Sequence, residues 1–258
     1  MKSITTEIIN HVGVITLNRP EAYNSFDREM ALSLQDALDT YEQSSDVKAI
    51  FLTGNGKAFS AGQDIKYLLS SDSVALDRIV TEHYNPIVQK IYDMSTIVVC
   101  GVNGVAAGAG ANIALVCDIT VAGESASFIQ AFSKIGLIPD SGGTYTMPRL
   151  VGFQKALALA LLGDKVSAHD AERMGMLYKV FPDSELYDSG LGIASKLAQM
   201  PTVALAETKK LFNSSLTNTF EEQLALEGKS QTLCGATEDY AEGINAFVEK
   251  RKPVYKGK

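Results

Sequence analysis

From Ser95 to Cys117 the chain carries no charged side chain. No other feature narrows the fold as sharply, because a run of that length must be buried in protein or in lipid. Its content decides against lipid. Gly101, Gly104, Gly108 and Gly110, together with Asn103, Asn112 and a single leucine, Leu115, leave too little bulky apolar surface for a membrane-facing helix. The run reads instead as a buried strand over 97–102, a glycine-rich loop, and a buried helix over 110–116.

Strands and helices alternate on either side of it. Alternation over 4–18 predicts a hairpin with His11-Val12-Gly13 as its turn. Asp27 reads as an N-cap, followed by a helix stripe of Met30, Leu34, Ala37, Leu38 and Tyr41. A strand is expected over 47–53, ending in Gly54-Asn55-Gly56. Periodicity predicts a helix over 73–94, which Pro86 must kink or interrupt. Strands are expected over 118–122, 127–132 and 180–181, and helices over 142–151 and 155–162. Ser167 is placed to cap another helix. Beyond Asp183 everything reads helical: 184–199, 201–216 with Pro201 in its first turn, 219–234 and 238–250. The pattern is one α/β core over 1–200 and a helical region over 201–258.

Composition removes several classes of function. The chain has 258 residues, with 23 Lys and Arg against 30 Asp and Glu, a net charge of −7. It has no general basic field, so neither nucleic acid nor an anionic membrane surface is an expected partner. Cys100, Cys117 and Cys234 form no CxxC, and His11, His83 and His169 form no HxxxH or HExxH. No disulfide framework and no metal site is expected, and the histidines are assigned to surface or turn positions. The opening MKSITTEIIN lacks a long apolar stretch, so a cytoplasmic location is expected.

The richest signal is an internal echo. Ala49–Gly54 leads to Asn55-Gly56 and then Ser60-Ala61-Gly62-Gln63-Asp64-Ile65; Val98–Val102 leads to Asn103-Gly104 and then Ala107-Gly108-Ala109-Gly110. Each is an apolar strand, an Asn-Gly turn, and an Ala-Gly before a helical stretch. Two helix N-termini brought together in this way would aim two free N–H groups at one oxygen, as an oxyanion or enolate requires. The same glycines would equally serve tight strand–helix packing. Competing motifs fail. There is no GxxxxGK[ST]; Ile113 stands where GxGxxG needs its last glycine; Asp140-Ser141-Gly142-Gly143 resembles a trypsin-like nucleophile segment but lies in a helix-rich chain; Ser60 is one glycine short of GxSxG.

Lys57–Ile65, Gly104–Gly110, Cys117-Asp118-Ile119, Ile135–Pro139, Asn18-Arg19-Pro20 and Glu242–Arg251 together resemble the enoyl-CoA hydratase/isomerase (crotonase) superfamily, in order along the whole chain. The resemblance implies an α/β spiral of ββα units with a helical trimerisation region at the C-terminus, assembled as a homotrimer or a dimer of trimers. It implies an acyl-CoA thioester as substrate, with coenzyme A belonging to the substrate and no separate cofactor. By position, the carbonyl oxygen would accept from the Gln63 and Ala109 N–H groups. Contacts to the substrate would fall at Ala22, Ala61, Asp64, Ile65 and Gly108.

Departures from the pattern point to the reaction. Hydratases of this superfamily use two glutamates. Here the corresponding positions are Asn112, after the glycine loop, and Phe132, expected in a strand. Asn112 is a candidate to orient substrate or water, or to be polar structure inside its helix; Phe132 is a candidate apolar wall, which would exclude water. Asp140, following Pro139, occupies a position where several isomerases and dehalogenases of the superfamily carry an aspartate, and its surroundings are most similar to isomerases of ring-1,2-epoxyphenylacetyl-CoA. Asp140 is therefore the expected acid and base, with an N-cap as its plainer role. The expected activity converts 3-enoyl-CoA to 2-enoyl-CoA, or a ring epoxide to its oxepin. The alternatives are a hydratase with an unusual site, a weakly active acyl-CoA-binding subunit, and, well behind, a serine hydrolase using Ser60 or Ser141. Structural roles are expected for Asp118 and, as a helix cap, for Asp64, and packing for Tyr145. Lys57, Lys66, Arg19 and Arg28 are expected to flank the coenzyme A site, with Lys250, Arg251 and Lys252 supplied by a neighbouring subunit.

Overall fold

The computed structural model describes residues 2–70 and 74–258. Among the described residues ten strands form two sheets. The larger runs β1 (Ile4–Ile9), β2 (Val12–Leu17), β3 (Ala49–Gly54), β5 (Ile97–Val102), β7 (Ile119–Gly123) and β10 (Lys179–Phe181). The smaller runs β4 (Ala58–Ser60), β6 (Val105–Ala107), β8 (Ser127–Ile129) and β9 (Lys165–Ser167). β2, β3, β5, β7 and β10 are parallel neighbours, and so are β4, β6 and β8. Three successive units thus each give one strand to each sheet: β3 and β4, β5 and β6, β7 and β8. The sequence echo is two of these units, and β7 and β8 are a third that lacks the Asn-Gly signature.

The large sheet is covered on both faces, so its central strands are apolar throughout. Ile50 and Leu52 of β3 join the main core, while Ala49 and Phe51 face a smaller cluster with Ala194 and Ala198 of the Leu186–Ala198 helix. On the main-core side the Arg28–Gln43 helix buries Met30, Leu34, Ala37, Leu38 and Tyr41, and Asp27 caps it by accepting from the Met30 N–H.

The helices over 186–248 match the expected plan within a few residues, and Ser167 caps Ala168–Arg173. Four readings change. The first hairpin turns at Asn10-His11, both at positive φ (49° and 66°), not at Gly13. Gly13 lies in β2 because the Tyr41 ring covers it; a Cβ there would sit 2.5 Å from Tyr41 Cδ2. The three-residue strands β4, β6 and β9 are too short for a periodic signal. Phe132 lies on a 3₁₀ turn, Ala131–Ile135, rather than in a strand, which ends at Ile129.

The fourth is the helix around Pro86, whose expected start at Ser73 lies outside the described residues. It is α-helical over Leu76–Arg78, π-helical over Ile79–Tyr84, and α-helical again over Asn85–Asp93. Proline has no N–H, so the Glu82 carbonyl loses its ordinary helical donor. Gln35 Nε2 from the neighbouring helix supplies one at 2.8 Å and also reaches the His83 carbonyl at 3.1 Å. His83, four residues from both Ile79 and Ile87, is buried and not superficial, with 1% exposure.

The Thr202–Ser215 helix is tied to the core by Lys209, which donates to Asp118 Oδ2 at 3.0 Å and to the Ile91 carbonyl at 2.6 Å. Asp118 also accepts from the Val98 N–H at 2.8 Å, the structural role expected of it. Removing one member of a largely buried pair strands the other charge. Lys209→Met should lower unfolding free energy by about 3 kcal/mol in urea titrations, with Asp118→Asn/Lys209→Met recovering part of the loss.

Candidate functional site

β4 and β6 are adjacent parallel strands, so the segments leaving their ends stay side by side. Gly62 is the point of contact. It sits at φ +85°, and a Cβ on it would lie 2.7 Å from the Ala107 carbonyl oxygen and 3.4 Å from the Ala109 nitrogen. Only glycine allows that approach.

The peptide planes on either side are held. The Gly62 carbonyl accepts from the Phe26 N–H at 2.7 Å, and the Asp64 N–H donates to the Phe26 carbonyl at 2.9 Å. A trans peptide points its N–H opposite to its carbonyl, so the Gln63 N–H faces away from Phe26. The Gly108 carbonyl accepts from the Asn112 N–H at 3.1 Å, which turns the Ala109 N–H out of the first turn of the Ala109–Val116 helix. Among the described residues neither the Gln63 nor the Ala109 N–H has a hydrogen-bond partner. Two fixed, unpaired donors on touching loops can hold one carbonyl oxygen.

The same hydrogen bonds bring the other expected residues together. The Ala61 N–H donates to the Tyr23 carbonyl at 2.9 Å, which sets the Pro20–Ala22 turn beside Ala61. Asp64 caps the Ile65–Leu68 helix through the Lys66 and Tyr67 N–H groups, as expected, and leaves Ile65 52% exposed. Arg19 pairs with Asp64 at 2.9 Å and Asp27 at 3.2 Å. Burial works to raise the Asp64 pKa, but the Arg19 hydrogen bond, the two backbone donors and the Arg19 charge outweigh it and hold it low. Arg19 is thereby spent inside the loop and is not free for a ligand; Lys57, Lys66 and Arg28 are exposed. Arg251 is likewise engaged, with Glu242 and Glu249 of its own chain.

Asp140 is reached through Asn112, one helical turn beyond Ala109. Asn112 is fully buried; its Nδ2 donates to the Asp140 carbonyl at 2.9 Å and its Oδ1 accepts from Gln130 Nε2 at 2.7 Å. Its amide is committed to the backbone of Asp140. The Asp140 carbonyl also accepts from the Gly143 N–H at 2.8 Å across a tight turn, with Ser141 at φ 51° and Gly142 at φ 75°. The carboxylate caps no helix. Gly143–Val151 starts from Gly142 without a side-chain cap, and Asp140 Oδ1 accepts from Ser141 Oγ at 2.8 Å. Burial raises the Asp140 pKa, against the pull of Ser141 and of its own N–H. A half-buried carboxylate with few partners and a raised pKa is suited to moving protons.

Phe132 is buried, and its ring lies 3.6 Å from where a Cβ of Gly108 would stand. It walls the glycine loop. Beyond Gly142 lies a cavity of about 250 Å³ lined by Val88, Tyr92, Val116, Tyr145 and Thr146. Tyr145 there packs edge-on to Tyr92 and beneath Arg149. Ser60 is buried and donates to the Asn24 carbonyl at 2.8 Å, and Ser141 donates to Asp140; neither has a histidine partner, which removes the hydrolase reading. Tyr84 and Gln130 join the site without having been expected from sequence. Tyr84, 1% exposed, donates to Gln63 Oε1 at 2.7 Å; helical spacing was its signal, since it lies three residues before Ile87 and seven before Ile91, both buried.

A sequence model described as enoyl-CoA hydratase/isomerase matches residues 7–258. This chain belongs to the enoyl-CoA hydratase/isomerase family. It is 43% identical to the 1,2-epoxyphenylacetyl-CoA isomerase of Escherichia coli K12, covering 100% of both chains. It is 33% identical to the 2,3-dehydroadipyl-CoA hydratase of the same strain, over 95% of each. An enoyl-CoA hydratase from Bacillus anthracis superposes with a TM-score of 0.93 at 30% identity, over 99% of this chain and 100% of that one. The fold is the crotonase fold, and no helix among the described residues is long and apolar enough to cross a membrane.

Two substitutions test the geometry. Gly62→Ala should drive the loops apart and cost about 1–3 kcal/mol in thermal or urea unfolding. Asn112→Asp would set a carboxylate against the Asp140 carbonyl and should destabilise by about 2–4 kcal/mol at pH 7; its loss should shrink as the pH is lowered and the new acid protonates.

Proposed function

We propose that this protein isomerises acyl-CoA thioesters, shifting a 3-enoyl double bond into conjugation or opening a ring-1,2-epoxide to its oxepin. One observation carries the reading: Asp140 is tied through its backbone carbonyl to Asn112, one turn beyond Ala109, and its carboxylate keeps no basic partner, while Asn112 and Phe132 stand at the positions where a two-glutamate hydratase needs its acids. The identity to an epoxyphenylacetyl-CoA isomerase supports it.

The thioester carbonyl accepts from the Gln63 and Ala109 N–H groups, which makes the C2 protons more acidic. Asp140 removes a C2 proton from the 3-enoyl-CoA, and the electron pair delocalises into a dienolate whose negative oxygen rests on the two amides. The same carboxyl returns the proton to C4, leaving the double bond between C2 and C3. No water enters and no electron is transferred, so the reaction uses no cofactor beyond the coenzyme A of its substrate. Phe132 keeps the site dry, and the cavity beside Tyr92 and Tyr145 offers room for the far end of the acyl group.

Asp140→Asn should abolish isomerisation of a 3-enoyl-CoA while folding normally; near-wild-type turnover would sink the assignment. The raised pKa sets two pH effects. Activity should fall as the pH drops through a value above that of an ordinary aspartate, because the base must be ionised. Stability runs the other way: the folded state holds its proton more tightly than the unfolded one, so the carboxyl weakens the fold as the pH rises from the ordinary aspartate value through the raised one. The Asn variant should therefore melt higher than wild type at pH 7. A second reading, hydration, is supported by the hydratase relative; 3-hydroxyacyl-CoA formed from a 2-enoyl-CoA would favour it.

Self-association is part of the proposal. Phe220 and Phe247 are 80% and 84% exposed on the C-terminal helices, with Leu224 and Val248 near them in sequence. Sedimentation should show a homotrimer or a dimer of trimers, and Phe247→Glu should weaken it.

A further inference from the structure

The Gln63 amide is held at more than its peptide plane. Its side chain is gripped at both ends: Nε2 donates to the Phe26 carbonyl at 3.0 Å, and Oε1 accepts from the Tyr84 hydroxyl at 2.7 Å. The Tyr84 ring packs edge-on against Phe26, with centroids 5.9 Å apart. Tyr84 is itself over-determined, because it closes the π-helical stretch Ile79–Tyr84, whose carbonyls at Glu82 and His83 are bound by Gln35. A π-helical insertion adds a residue to the turn and rotates the rest of the helix about its axis. Here the stretch ends on Tyr84, three residues before the buried Ile87, and its phenol lies in the core with the hydroxyl on the Gln63 side chain.

We propose that Tyr84 is a positioning residue: through its hydrogen bond to Gln63 Oε1 it fixes the direction of the Gln63 N–H and so the strength of the polarisation of a bound thioester carbonyl. This rests on the reading that the Gln63 and Ala109 amides receive that carbonyl. A buried phenol whose donor has one partner is a costly arrangement to keep for packing alone, since phenylalanine would fill the same volume without a hydroxyl to satisfy. The acceptor is a side chain of the very residue whose backbone amide lies open. Loss of the bond frees the Gln63 side chain to rotate and the amide to lose its aim, which weakens its hold on a charge that develops chiefly in the transition state. The loss should therefore appear in kcat and not in KM.

The test compares wild type, Tyr84→Phe, Gln63→Met and the double variant, with melting temperatures to establish folding. The infrared carbonyl stretch of a bound, non-isomerisable CoA thioester reports polarisation directly. In wild type the band should move to lower frequency on binding; an unmoved band would refute the amide-pair reading itself, apart from any role of Tyr84. If the band moves, Tyr84→Phe should lose a substantial part of that shift, with kcat on a 3-enoyl-CoA reduced about tenfold and KM within about twofold. Tyr84→Phe and Gln63→Met should be non-additive, the double variant being no worse than the poorer single one. A Tyr84→Phe enzyme with the full wild-type shift and turnover would overturn the proposal, as would fully additive losses. Should Tyr84→Phe fail to fold, Gln63→Met alone decides, since it removes the acceptor and leaves the phenol in place: a retained shift and kcat would overturn the assignment.

Discussion

The contact between Gly62 and the Ala107–Ala109 backbone governs this molecule. Two loops from adjacent parallel strands meet there closely enough that a single methyl group would separate them. The approach becomes useful because each flanking peptide is locked by its carbonyl, to Phe26 on one side and to the first turn of a helix on the other. Hydrogen bonds on the inner edges dictate where the outer N–H groups point. Rigidity on the inner side is what leaves the outer donors fixed and unpaired.

Asp140 is organised on the opposite principle. Its backbone is pinned by Asn112 and Gly143, while its carboxylate is left with little support beyond one hydroxyl. A better-solvated or ion-paired acid would stabilise the fold more and bind protons less usefully. Arg19, Asp27 and Asp64 show the contrasting arrangement nearby, with paired charges and a lowered Asp64 pKa. Asp64 and Asp140 are thus driven in opposite directions by whether a guanidinium is within reach, and only the unpaired one is equipped to exchange a proton.

Much of this was visible in the residues. The duplicated strand, Asn-Gly and Ala-Gly pattern marked two of the three repeating units and the loops that meet, and the uncharged run marked the buried half of the pair. Asp64 as a cap and Asp118 as a structural acid were legible from residue type and position. The hidden features depended on partners distant in sequence. Gly13 looked like a turn residue because nothing local reveals the Tyr41 ring against it. His83 looked superficial from its residue type, yet it stands four residues after Ile79 and four before Ile87, both buried, on the inward face of its helix. Arg19 looked available for a ligand because its partners, Asp27 and Asp64, reach it only in the folded chain.

The sequence by itself determined the alternation of elements, the family to which the chain belongs, and the placing of an aspartate after Pro139, because local patterning and residue chemistry are carried along the chain. Tertiary structure alone decided that the Gln63 and Ala109 amides are free and adjacent, that Asn112 serves Asp140 rather than the open site, and that Asp140 caps no helix. Those outcomes are set by which peptide plane faces which neighbour across two sheets, and a peptide's orientation is fixed by the partners that the fold brings to it.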